Sequence, residues 1–236
     1  MKTLLVSLIF LLLIGGCSST IKTTTTAKAS LANHKIIAIL PFEVRFDLRI
    51  KNDKQFTEED MGKVKQFMAL GLQEHLYYWL KSYSTKKPFT VSIQDVGTTN
   101  SILSENKIRF IDVYTMSRAD LANMLKVDAV LTPQVIFSQP NSEGASVAFM
   151  IAGGAMLGPG LYEGLATQEM KMQVLLNSNS TDTTLWTFNT KTQSNGVTKP
   201  SRDKKKENIL YPLFRNIDET LEKFIKKFPY RKANLY

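Results

Sequence analysis

Residues 35–46, KIIAILPFEVRF, form a continuous apolar run that holds one proline and is bounded by charge. Its Ile, Leu, Val and Phe content argues for a strand buried on both faces, which requires helices on each side of a sheet. Pro41 cannot donate to a strand ladder, so it is expected where the strand ends or leaves its neighbour. Downstream, Thr57-Glu58-Glu59-Asp60 places a capping hydroxyl before three acids, the chemistry of a helix start. Met61, Val64, Phe67, Met68, Leu72, His75, Leu76, Trp79 and Tyr83 then recur at spacings of three and four. They predict a long helix whose apolar face, with Phe67, Leu72, Leu76 and Trp79, covers the sheet.

The alternation continues the pattern. Residues 89–96 (FTVSIQDV) read as a strand, and Thr98 or Thr99 can cap a short helix through Leu103 and Ile108. Ser117-Arg118-Ala119-Asp120 caps another helix, and 128–137 (DAVLTPQVIF) reads as a third strand. Two successive strand–helix units imply parallel pairs. Residues 169–177 and 183–192 predict an antiparallel hairpin carrying Trp186 and Phe188, and 207–228 predicts an amphipathic helix. The expected fold is α/β: a single mixed β-sheet flanked by a long helix in the N-terminal half and a C-terminal amphipathic helix.

At the other end of the chain, Lys2 is followed by an apolar run, then Gly15, Gly16 and Cys17, the only cysteine. The run is shorter than the roughly 20 residues a spanning helix needs. Charge, apolar run and small residues make an export signal, and the cysteine at its end resembles the lipobox of bacterial lipoproteins. The resemblance implies a diacylated thiol, cleavage before Cys17 and acylation of the new amino group. Each buried methylene contributes roughly 0.8 kcal/mol, so two or three chains anchor stably where one does not. The expected organisation is a signal peptide at 1–16, a Ser/Thr/Lys-rich flexible tether at 17–33 and a single domain at 34–232 with a Gly-rich apolar insert at 144–164. Ser18, not Asp, follows the cysteine, and the resemblance then implies the outer membrane, periplasm-facing.

Removing 16 of the 236 residues leaves 220, enough for one domain with a sizeable core. No cysteine follows position 17, so disulfides cannot support the fold and burial must. The formal charge of +9 falls to +8 without Lys2. An exported protein meets membrane phosphates or anionic envelope polymers rather than nucleic acid, and no nucleic-acid motif is visible. The densest basic runs are 202–206 and 223–232.

Placed behind the lipobox, this element order resembles the α/β domain shared by curli-secretion-channel lipoproteins, LpoB-type activators of cell-wall synthases and the N-terminal domain of TolB. The residues that carry the resemblance are 37–42 (IAILPF), 121–131 (LANMLKVDAVL) and 185–188 (LWTF). The channel family would require two amphipathic β-hairpins per subunit to build a shared barrel. No pair of alternating segments in this chain can serve, which is a departure from that family.

Catalytic chemistry is thinly supplied. His34 and His75 are the only histidines, and no nucleophile elbow, phosphate loop or dinucleotide fingerprint is present. Asp95 and Asp128 sit at predicted strand ends, where loop capping explains them as well as chemistry does. A non-enzymatic protein without cofactor or metal is expected. The least ordinary stretch lies between Glu143 and Glu163, which is uncharged and contains Gly144, Gly153, Gly154, Gly158 and Gly160. It is either a gap-filler whose glycines permit close packing or an exposed contact surface for a partner or membrane. In the second case Phe149, Met150, Ile151, Gly153, Gly154, Met156, Leu157 and Gly158 make the contact. The function expected is a lipid-anchored binding or assembly module whose partner is another envelope protein or its own copies. The alternatives are a subunit of an oligomeric secretion or transport complex that inserts the Gly-rich segment into the membrane and, third, a cell-wall-directed hydrolase.

Overall fold

The computed structural model describes residues 19–25, 27–47, 58–138, 168–180, 183–194 and 211–232. The fold is α/β, with one open mixed sheet and, among the described residues, seven strands and five α-helices. In chain order these are β1 (Ser19–Thr23), α1 (Ala27–Asn33), β2 (Ile36–Ile39), β3 (Glu43–Asp47), α2 (Glu58–Lys86), β4 (Ser92–Ile93), α3 (Val96–Glu105), α4 (Arg118–Met124), β5 (Ala129–Ser138), β6 (Gln168–Ser178), β7 (Thr184–Ser194) and α5 (Tyr211–Lys227). The sheet order is β1-β7-β6-β5-β2-β4, and β3 pairs with β5 beyond the end of β2. β2, β3, β4 and β5 are parallel, whereas β5, β6, β7 and β1 are antiparallel in succession.

The 35–46 run is interrupted once. Ile37 pairs with Ala129 and Glu43 with Gln134, so six steps on the β2–β3 side match five on β5. The extra residue falls in the break at Leu40-Pro41-Phe42, where the prolyl nitrogen has no hydrogen to give, and the local geometry is that of a bulge. Carbonyls that face β4 alternate along β2: Lys35 accepts from Ser92 and Ile37 from Gln94. The next, Ile39, finds β4 already ended, and the amide Nε2 of Gln73 on α2 donates to it at 2.7 Å. Gln73 is fully buried and also exchanges bonds with Asn100 of α3, at 3.0 and 3.2 Å. Gln73→Ala should therefore cost about 1–3 kcal/mol in urea unfolding by orphaning the Ile39 carbonyl. Adding Asn100→Ala should cost less than the sum of the singles, because both remove the same amide pair.

Two apolar layers sandwich the central strands. Ile37, Ile39, Ala129 and Leu131 face Leu72, Leu76 and Leu80 of α2, together with Leu221, Phe224, Ile225 and Phe228 at the C-terminal end. Ala38, Leu40 and Val130 face Leu103 of α3 and Leu121, Ala122 and Leu125 at α4. The alternation is the period-two consequence of a strand covered on both sides. Ser117 caps α4 as its position predicts.

The structure departs from the sequence reading at four places. Ser19–Thr23 is a strand and Ala27–Asn33 a helix where a flexible tether was expected: β1 is hydrogen-bonded along β7, and Ala27 and Leu31 of α1 are buried. Main-chain pairing does not require apolar side chains, so a Ser/Thr-rich segment can still complete a sheet. Phe67 is 61% exposed, because Met68, Ala69, Leu72 and Leu76 define the buried stripe and Phe67 lies beyond its edge. The strand expected at 89–96 shrinks to Ser92–Ile93, since Asp95 accepts from the amides of Gly97 and Thr98 and starts α3 in place of Thr98 or Thr99. His34, expected at the edge of the tether, is buried.

Candidate binding surface

Cys17, Phe149, Met150, Ile151, Gly153, Gly154, Met156, Leu157 and Gly158 lie outside the described residues. Among the described residues there is no cluster of three or more metal-ligating side chains, and no helix long and apolar enough to cross a membrane. The interior leaves a void of ≈ 10 Å³ beside Phe42, Leu72 and Met172, on the scale of one water.

A more open surface lies on the side of the sheet away from α2 and α5. α3 and α4 cover this side over β2 and the start of β5. On β3, β6, β7 and the second half of β5, the residues that do not join the core form cross-strand rows. One row is Glu43, Gln134, Gln173, Asn189 and Thr20, each paired in register with the next across five strands. Within it Gln134 Nε2 donates to Glu43 Oε2 and Gln173 Nε2 to Asn189 Oδ1, both at 2.8 Å. The adjacent row is Arg45, Ile136, Lys171 and Lys191. The parts of these rows on β1, β5, β6 and β7 line a concavity of ≈ 370 Å³ that includes Thr20, Gln134, Ile136, Lys171, Gln173 and Lys191.

Lys171 and Lys191 are direct cross-strand partners, an arrangement that like charges disfavour. Glu169, buried to 8% exposure, resolves it by accepting from both, at 3.2 Å from Lys171 and 2.6 Å from Lys191. Arg45 is held by Glu43 through Nε at 2.8 Å and Nη2 at 2.5 Å. The surface presents amides and half-exposed paired ions. It carries hydrogen-bond donors, acceptors and cations suited to gripping a polar or anionic partner, and no nucleophile with an adjacent base.

Both histidines are structural. His75 Nε2 meets Asp218 Oδ1 at 2.7 Å, and Trp79 Nε1 donates to the same oxygen at 3.1 Å, tying α2 to α5. His34 Nδ1 lies 2.5 Å from the hydroxyl of the fully buried Tyr230. Burial holds the His34 imidazole below its ordinary pKa of 6.5, against an opposing pull from Asp128. Burial also raises the Tyr230 phenol, again with Asp128 adding to the effect. Burial works against ionised Asp128, but the amides of Ile36 and Lys35, at 2.9 and 2.6 Å, together with the charges of His34 and Lys35, outweigh it and keep its carboxyl below its ordinary pKa. Asp95 and Asp128 are thus capping groups.

The unfolded His34 takes up its proton near pH 6.5 and the folded one only at lower pH. Between those values the unfolded chain binds more protons, so stability falls with falling pH by up to about 1.4 kcal/mol per unit. Urea midpoints at pH 7.5 and 5.5 should show this slope in the parent chain and lose it in His34→Gln, whose amide can still meet Tyr230. An unchanged slope would move the effect to other groups.

Neither a protein-family model nor a curated protein sequence matches the chain. Solved structures with a similar fold include lipoprotein GNA1162 from Neisseria meningitidis, at 10% identity and TM-score 0.38, covering 79% of this chain and 96% of that one. The LpoB C-terminal domain from Salmonella enterica matches at 9% identity and TM-score 0.30, over 69% and 83%. Hypothetical protein CT253 from Chlamydia trachomatis matches at 10% and 0.41, over 85% and 99%. An LpoB domain is among the groups that the short motifs resemble. At identities near 10% and TM-scores under 0.5, none of these structures says what this chain does.

The sequence reading missed the cross-strand rows. The signal available was the alternation of Glu169, Lys171 and Gln173 with Met170, Met172 and Val174, which marks one polar and one apolar side of β6.

Proposed function

We propose that this protein is a non-enzymatic binding or assembly module of the bacterial envelope, held by acyl groups on Cys17 at the outer membrane and facing the periplasm. Its partner is another envelope protein or further copies of itself. The observation that carries this reading is the row of amides and ions across β1, β7, β6, β5 and β3, with a concavity of ≈ 370 Å³ where it crosses β1, β7, β6 and β5. Anchoring adds to it by confining the module in two dimensions, which raises its effective concentration beside a partner.

Photo-crosslinking in intact cells tests the reading. A crosslinker at Gln173 or Asn189 should yield one discrete adduct, whose mass tells a second copy from another protein, and a crosslinker at exposed Glu105 on α3 should not. The adduct should weaken when Cys17→Ser removes the anchor. Adducts from Glu105 and none from the sheet surface would contradict the assignment.

A further inference from the structure

β1 and α1 are held differently from the rest of the fold. β1 is an edge strand that pairs, among the described residues, with β7 alone. None of its five side chains is buried, so main-chain bonds hold it, and these only about offset the entropy of fixing its backbone. α1 has seven residues, too few for a helix to be stable without packing. It buries Ala27 and Leu31 in the apolar layer that holds Leu185 and Trp186 of β7. Between the two elements the Thr24 amide donates to the Leu185 carbonyl. Local openings are drawn from segments with this little burial.

At the base of this strap, His34 fastens it to the far end of the chain. The residue is 8% exposed, its Nδ1 lies 2.5 Å from the hydroxyl of fully buried Tyr230, and the two rings are 5.9 Å apart. Tyr230 is fixed in turn, its carbonyl accepting from the Thr90 amide at 3.0 Å. The amides of Lys35 and Ile36 both donate to Asp128, so the strap ends at His34 and the central sheet begins directly after it.

We infer that β1 and α1 form an acid-released strap: protonation of His34 frees them from β7 and Tyr230 while the rest of the sheet stays folded. A neutral imidazole accepts the phenol hydrogen at Nδ1, whereas an imidazolium cannot and would be a charge in a nearly closed site. The ionisable groups acting on His34 from the elements around it are Tyr230, beyond α5, and Asp128, before β5. Tyr230 stays un-ionised because burial raises its pKa, and Asp128 favours the imidazolium without reversing the effect of burial. Once the strap has left, His34 in water titrates near its ordinary pKa of 6.5. Release then takes up a proton, and falling pH favours it by up to about tenfold per pH unit. Release removes Thr20 from the row that it shares with Asn189 and opens the edge of β7 beside it. Acidity thus reshapes one end of the surface proposed above, a consequence that rests on that reading.

Hydrogen exchange on the full chain tests the strap, with rates corrected for their intrinsic dependence on pH. At every pH the amides of β1 and α1 should be less protected than those of β5. Low urea, which promotes unfolding of the whole domain, should speed exchange in β5 and hardly change it in the strap. Between pH 6.5 and 5.5 strap protection should fall by up to about tenfold, and the β7 amides that bond to β1 should follow it. His34→Gln should remove that dependence. Tyr230→Phe, which keeps the ring, should lower strap protection at every pH. Strap and β5 amides with equal protection and equal urea response would mean one unfolding unit. Strap protection that ignores pH, falls as steeply in His34→Gln or is unmoved by Tyr230→Phe would take the release away from His34. Either result overturns the inference. Exchange is read without a partner, so it stands apart from the crosslinking at Gln173 and Asn189.

Discussion

Phe224→Ala should destabilise the protein by about 3–5 kcal/mol, the range for removing a fully buried aromatic ring and leaving its cavity. The ring has no exposure and lies at the meeting point of α5 and β7, with centroids 5.8 Å from Trp186, 5.4 Å from Phe188 and 5.4 Å from Phe228. Those edge-on and tilted contacts add to the burial. Domains of this size hold about 5–15 kcal/mol in total, so the loss is a large share of the whole. Trp186 emission during urea unfolding reports the transition from inside the affected cluster. Tyr78→Ala, on the outer side of α2 and 71% exposed, should stay within about 0.5 kcal/mol of the parent. If the two variants unfold alike, α5 does not pack on the sheet as described.

The second large effect concerns location. Cys17→Ser should move the protein from the detergent-requiring membrane fraction into a soluble or uncleaved form, because a hydroxyl removes the thiol that the proposed anchor requires. Fractionation after a carbonate wash measures it. A mutant that still partitions with membranes, without precursor accumulating, would mean that acylation is not the anchor.

Much of this fold is written in local pattern. The helix-then-strand step at 121–131 and the late hairpin each combine a periodicity with a turn or cap, and each becomes the element it predicts, whereas the 35–46 run becomes two strands, of which β3 has one face exposed. Segments whose structure depends on a distant partner were not legible. β1 is made by main-chain bonds to β7, more than 160 positions away, and its composition resembles linker because nothing in its own side chains requires a sheet. Phe67 shows the converse error. An apolar residue at the right spacing was assigned to the core, while the helix needs only the narrower stripe from Met68 to Leu80.

The proposed binding surface was hidden for the same reason as β1. Glu43, Gln134, Gln173, Asn189 and Thr20 have no common motif, and only the strand register places them in one row. Buffering of Lys171 and Lys191 by Glu169 depends equally on pairing across a hairpin. The sequence could show that β6 has a polar side. It could not show which other strands extend it.

Lipid anchoring is the claim on which location, orientation and partner access all depend, and the mass of the N-terminal peptide of protein purified from membranes tests it most directly. The account predicts a peptide that begins at Cys17 and carries acyl groups on both the thiol and the amino terminus. A peptide that begins elsewhere, or an unmodified Cys17, would contradict it.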